Sequence, residues 1–133
     1  HFQVDHPLGA TMMVRADVAE STHGFDESFH MFCEEIDWSW RVRRAGWEIY
    51  TVPAAEIVHY AGESTSQVPA VTVVNLWRSR EQLYRKHHGR LHHALAGRFV
   101  RRAMMRKAGK AADPEMRQAY QEVASIWSAN GSK

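Results

Sequence analysis

Apolar residues recur in this chain with two different periods. Up to about residue 70 they come in short runs broken by Gly and Pro, and beyond it they return every three to four residues. Thr11-Met-Met-Val14 is a short apolar run entered through Pro7 and Gly9, which predicts a buried strand. Asp17 to Glu20 predicts a short helix closed by Gly24, and Phe25 to Phe32 a loop with aromatic anchors. Glu34 to Ala45 predicts a helix with Trp38, Val42 and Ala45 on one face and Arg41, Arg43 and Arg44 on the rest. Gly46 stands where a helix ends in the left-handed conformation. Trp47 to Val52 alternates like a strand and stops at Pro53, and Glu56 to Tyr60 predicts a second short strand. A polar loop covers Gly62 to Gln67.

The longer period begins at Val71 and predicts a helix to about His88, ended by Gly89. Leu91, Leu95 and Phe99 share one side of a second helix that is very basic on its other sides, and Gly97 interrupts this segregation of apolar and basic residues. Asp113-Pro114-Glu115 is a helix start, with Asp as cap and Pro in the first position. Met116, Tyr120, Val123 and Trp127 then form one apolar face, until Gly131. The expected architecture is an α/β region over residues 1–70 followed by a helical region over residues 71–133.

Composition adds bounds. A chain of 133 residues with 44% hydrophobic and 24% charged residues matches a soluble globular domain with a real core. Cys33 is the only cysteine, which rules out an intramolecular disulfide and suits a reducing, cytoplasmic setting. No apolar run approaches the ~20 residues of a membrane span, and no signal peptide is recognisable. The sequence opens at His1 as though in mid-course, so a piece of a longer protein is expected.

The net charge of +2 hides an asymmetry. Eleven of the 17 Lys and Arg lie between Arg78 and Lys110, against one acid, Glu81. That stretch calls for a solvated face or an anionic partner. Its mixture of basic and apolar residues suits the surface of an anionic membrane, peripherally on the inner face of the plasma membrane. No nucleic-acid motif accompanies the charge, and nucleic acid is not an expected partner.

The chemistry concentrates earlier. Glu34, Glu35 and Asp37 fall within four residues, and neighbouring carboxylates repel unless a cation, a proton or a substrate relieves them. Taken alone, Glu34 and Glu35 are also favourable charges at a helix N-terminus, worth ~0.3–1 kcal/mol each. Asp37 and Arg41 have the spacing of an intrahelical ion pair.

Six segments in order carry a further signal: Gly9-Ala-Thr-Met-Met-Val-Arg15, Gly24-Phe-Asp-Glu-Ser-Phe29, Glu34-Glu-Ile-Asp37 with Arg41, Ala45-Gly-Trp47, Val52-Pro53 and His59-Tyr-Ala-Gly-Glu-Ser64. Together they resemble the C-terminal half of family 2 inverting glycosyltransferases, above all the bacterial rhamnosyltransferase-like branch. The resemblance covers about half the chain, Pro7 to Ser64, with a weaker echo at Leu83 to Gly89.

It implies the acceptor-side part of a GT-A nucleotide-sugar fold, the Asp-x-Asp metal motif of the first half being absent here. It implies a nucleotide-diphosphate sugar donor, a glycan or polyprenyl-linked acceptor, and a divalent metal, Mn or Mg, in a full-length enzyme. By the same resemblance Glu35 is the catalytic base, with Glu in place of the more common Asp. Asp37 is expected to orient the neighbouring loop or bind an acceptor hydroxyl, and Glu34, Asp26, Trp40 and Ser64 to contact substrate. Asp26 is almost as well explained as a turn residue. His59 is the implied metal ligand. Alone, the fragment is expected to be inactive and to self-associate, as a homo-oligomer. The rival is a non-catalytic module in which the acids only start a helix and the basic helices bind membrane or a partner.

Overall fold

The computed structural model describes residues 1–59 and 68–128. The chain divides into two compact units, His1–Ala61 and Gly62–Lys133, each with its own core.

In the first unit, β1 (Phe2–Gln3) pairs antiparallel with β2 (Tyr50–Thr51), Phe2 opposite Thr51 and Gln3 opposite Tyr50. Helix α1 (Ala16–Thr22) and helix α2 (Glu34–Arg44) bury Val18, Trp38 and Val42, with Met12, Ala19, Trp47 and Ile49 packed around them. Gly46 ends α2 as its spacing predicts, with φ 89°. Its N–H bonds the Arg43 carbonyl at 3.0 Å and the next N–H, of Trp47, reaches Val42 at 3.2 Å. That doubled closure satisfies the last carbonyls of the helix and turns Trp47 back onto Val42.

The second unit is three helices: α3 (Pro69–His87), α4 (Arg90–Lys110) and α5 (Pro114–Ile126). Asp113 caps α5 through the Glu115 N–H at 3.0 Å, with Pro114 in the first turn, as expected. Val74, Met104, Ala119, Val123, Ala124 and Trp127 form the core. Trp127 donates its indole N–H to the Trp77 carbonyl at 3.1 Å and stacks on the His93 ring. Glu81 Oε1 and His93 Nε2, both buried, meet at 2.9 Å and tie α3 to α4. Among the described residues no helix is long and apolar enough to cross a membrane.

The α/β class expected of the first unit holds in part, and its expected strands are corrected. The fold is mostly helical with a two-stranded sheet, compatible with a fragment of an α/β glycosyltransferase. Thr11–Val14 is irregular, with Met13 fully exposed, and residues 56–59 form no strand. Trp47–Val52 keeps only Tyr50–Thr51 as strand. An apolar run becomes a strand only where another edge accepts its backbone bonds, and here the described residues supply only β1. Helix α4 turns its apolar row outward. Leu91, Leu95 and Phe99 are 71%, 50% and 73% exposed, and the buried side carries His93, Gly97, Met104 and Ala108 instead. The helix runs unbroken through Gly97, whose missing side chain lets the Trp127 carbonyl come close.

Candidate functional site

The acidic cluster opens α2, and the way that helix starts is unusual. Phe32 and Cys33 both have left-handed backbones, φ 69° and 67°. Neither is glycine, and such conformations cost about 1 kcal/mol or more each and gather at functional sites. Cys33 is buried, and its carbonyl takes the first bond of the helix, from the Asp37 N–H at 2.9 Å. The reversal over two residues sets Glu34 and Glu35 at the helix mouth, where the macrodipole favours negative charge.

Glu35 is half-buried and makes no side-chain hydrogen bond or ion pair with a described residue. Gly9 lies against it: a Cβ at that position would stand 3.2 Å from Glu35 Cβ and 3.3 Å from Cγ. The loop before Thr11 thus props the stem of Glu35 and leaves its carboxylate unclaimed. Glu34 has one carboxylate oxygen, Oε2, buried with no hydrogen-bond partner among the described residues. A buried oxygen of that kind costs ~1–3 kcal/mol unless something outside the described residues reaches it.

Asp37 behaves differently. It is 0% exposed, and its Oδ2 accepts from Arg41 Nε at 2.9 Å. Arg41 then donates to the Thr22 carbonyl and, at 2.6 Å, to that of Gly24. Trp38 Nε1 donates to Thr22 Oγ1 at 2.8 Å, and that hydroxyl donates on to the Val18 carbonyl at 2.6 Å. Phe25 meets the Trp38 ring edge-on at 4.8 Å. Of the two roles expected for Asp37, the geometry supports orienting the loop: its carboxylate is committed to the turn that leads into Gly24-Phe-Asp-Glu-Ser-Phe29.

Asp26 sits in that loop as a turn residue. Its Oδ1 accepts from the Ser28 N–H at 2.9 Å and its carbonyl from Phe29 at 3.1 Å. Trp40 is half-buried, as expected for a partly exposed ring. His59 is exposed, and among the described residues no three His, Cys, Asp or Glu side chains gather as a metal site. The described residues therefore do not supply a donor set for a divalent cation. Ser64 lies outside the described residues.

A cleft of about 220 Å³ opens beside α2 among Met12, Trp38, Ser39, Val42, Trp47 and Ile49. Ser39 is 1% exposed and its hydroxyl has no partner among the described residues. At the rim Arg15 stands over the Trp47 ring at 5.2 Å and pairs with Asp17 at 2.8 Å. Their hydrogen bond holds the Asp17 carboxyl below its usual range and raises Arg15.

Neither the left-handed pair nor the Gly9 contact is legible in the sequence, because neither Phe32 nor Cys33 is a residue that signals that conformation. Arg41 was assigned to structure by its spacing, but its grip on Thr22 and Gly24 depends on tertiary placement.

An N-acetylglucosaminyl-diphospho-decaprenol L-rhamnosyltransferase of Mycobacterium tuberculosis, in both the CDC 1551 / Oshkosh and H37Rv strains, is 37% identical over 62 residues. That match covers 47% of this chain and 20% of the relative. Rhamnosyltransferase WbbL of Escherichia coli K12 is 40% identical over 58 residues, 44% of this chain and 22% of its own length. The chain thus spans about a fifth of the length of the curated relatives it matches. No family model and no solved structure matches it. The resemblance to rhamnosyltransferase-like enzymes expected from the six segments is borne out.

Proposed function

We propose that this chain is the acceptor-side part of an inverting, GT-A type glycosyltransferase of family 2, in which Glu35 is the general base. The acceptor hydroxyl gives its proton to the Glu35 carboxylate while its oxygen bonds to the anomeric carbon of a nucleotide sugar. The bond from that carbon to the diphosphate breaks on the opposite face, and the nucleoside diphosphate leaves with the electron pair. The configuration inverts because attack and departure occupy opposite faces.

One observation carries this reading: Glu35 is a half-buried carboxylate with no ion pair among the described residues, held at a helix mouth by Gly9 and a left-handed turn. A base must have an open lone pair within hydrogen-bond reach of the alcohol, and the carboxylate of Asp37, wholly buried and paired with Arg41, is out of an alcohol's reach. Rhamnose is the sugar that the relatives' names suggest, and a diphospho-polyprenol-linked sugar is the acceptor class suggested by one of them. Glu34, with its orphaned oxygen, is the second contact to substrate in this reading. The divalent cation implied by the resemblance would draw its donors from beyond the described residues, and no step of the reading depends on it. The reaction would run at the cytoplasmic face of the plasma membrane, where nucleotide sugars and lipid-linked acceptors meet.

The test is transfer of labelled rhamnose from its nucleotide donors to a polyprenyl-diphosphate acceptor. The expected result is transfer by a complete enzyme containing these residues and none by the 133-residue chain alone. Turnover by the chain alone would contradict the division of labour, and no transfer by either would contradict the reading.

A further inference from the structure

On α4 the residues come round at about 100° each, so Leu91, Leu95, Phe99, Arg98, Arg102 and Arg106 all fall within about 100° of arc. That arc lies opposite the side that buries His93, Gly97, Met104 and Ala108. All six are exposed, and three of them are large apolar side chains in a row of helical neighbours. The helix as a whole carries seven Lys and Arg and no acid between Arg90 and Lys110. No helix of the second unit covers this face. An exposed apolar row is unfavourable in water, and one interleaved with arginines does not suit a core.

We propose that this outer face of α4 docks on an anionic lipid surface, with Leu91, Leu95 and Phe99 entering the boundary between headgroups and acyl chains and Arg98, Arg102 and Arg106 meeting lipid phosphates. The charge argues for lipid over protein: a partner helix would have to bring matching acids and an apolar stripe together, whereas an anionic bilayer offers both across its whole surface. Arginine is suited to the phosphates because its planar fork binds them bidentately. The inference stands on the helical unit and does not depend on the transfer chemistry proposed for Glu35.

The experiment is co-sedimentation of the 133-residue chain with vesicles of phosphatidylcholine alone or with added phosphatidylglycerol, supported by circular dichroism of each variant. The chain should pellet with the anionic vesicles, stay in solution with neutral ones, and be released by salt. Arg102→Glu with Arg106→Glu should weaken binding about a hundredfold or more, and Leu95→Ser with Phe99→Ser about tenfold or more. Arg43→Glu with Arg44→Glu changes the net charge equally in the first unit and should leave binding intact. Equal loss in that control would overturn the assignment to α4, as would retention of binding by both α4 variants. A concentration-dependent dimer that Leu95→Ser with Phe99→Ser converts to monomer would also overturn it, by showing that a second copy covers the face.

Discussion

Gly9 and Glu35 touch across 26 positions of sequence, with room between them for a hydrogen and not for a methyl group. The contact makes the position of the carboxylate depend on a residue with no chemistry of its own. In Gly9→Ala the new Cβ stands 3.2 Å from Glu35 Cβ, and the acid must move by a few tenths of an ångström. A small misplacement of a reacting group is expensive in rate, so kcat of the complete enzyme should fall about tenfold with Ala and about a hundredfold with Val. The unfolding free energy should move by no more than about 1 kcal/mol, since the site is a surface loop. Steady-state kinetics beside a denaturant titration separates the two effects.

Asp37 and Arg41 form the opposite kind of pair, a carboxylate fully spent on the fold. Asp37→Ala leaves Arg41 without its anion and loosens the turn at Thr22 and Gly24. The loss should be about 3 kcal/mol, at the low end for a buried pair because Arg41 keeps some solvent access. Unfolding of the single and double variants should show coupling between the two sites. Full stability with lost turnover would instead mark Asp37 as a substrate contact.

Gly97→Ala sets two effects against each other. Alanine favours a helix interior by about 1 kcal/mol over glycine. Its Cβ, however, would stand 2.8 Å from the Trp127 carbonyl oxygen, a backbone atom that cannot rotate away. Overpacking of that kind costs about 1–3 kcal/mol, so the variant should be less stable despite its better propensity. Thermal unfolding of the chain decides the sign.

Ser39→Ala removes a buried hydroxyl that has no partner among the described residues. The variant should be about 1 kcal/mol more stable than the parent, measured by denaturant titration. A loss of similar size would mean that the hydroxyl is bonded in solution.

Helix ends were legible from the sequence wherever the signal was local. Gly46, Gly89 and the Asp113-Pro114 pair end or start their helices through backbone conformations and caps that need no distant partner. Periodicity picks out the apolar row of Leu91, Leu95 and Phe99 and its basic surround, but the choice of His93, Gly97, Met104 and Ala108 as the buried side is set by tertiary packing. Thr11–Val14 misled for a related reason. Its composition suits a strand, but strand formation rests on a neighbouring edge. The acids of α2 were found from their crowding and from the resemblance. What sorts them into one spent and one open carboxylate is Arg41, which comes round the helix onto Asp37 and away from Glu35.

Glu35→Gln in a complete enzyme containing these residues tests the central claim most directly, since it keeps the shape of the side chain and removes its ability to take a proton. The account predicts a fall in kcat of about 10²–10⁴-fold, with KM and thermal unfolding held near the parent values. Turnover within about twofold of the parent would contradict it.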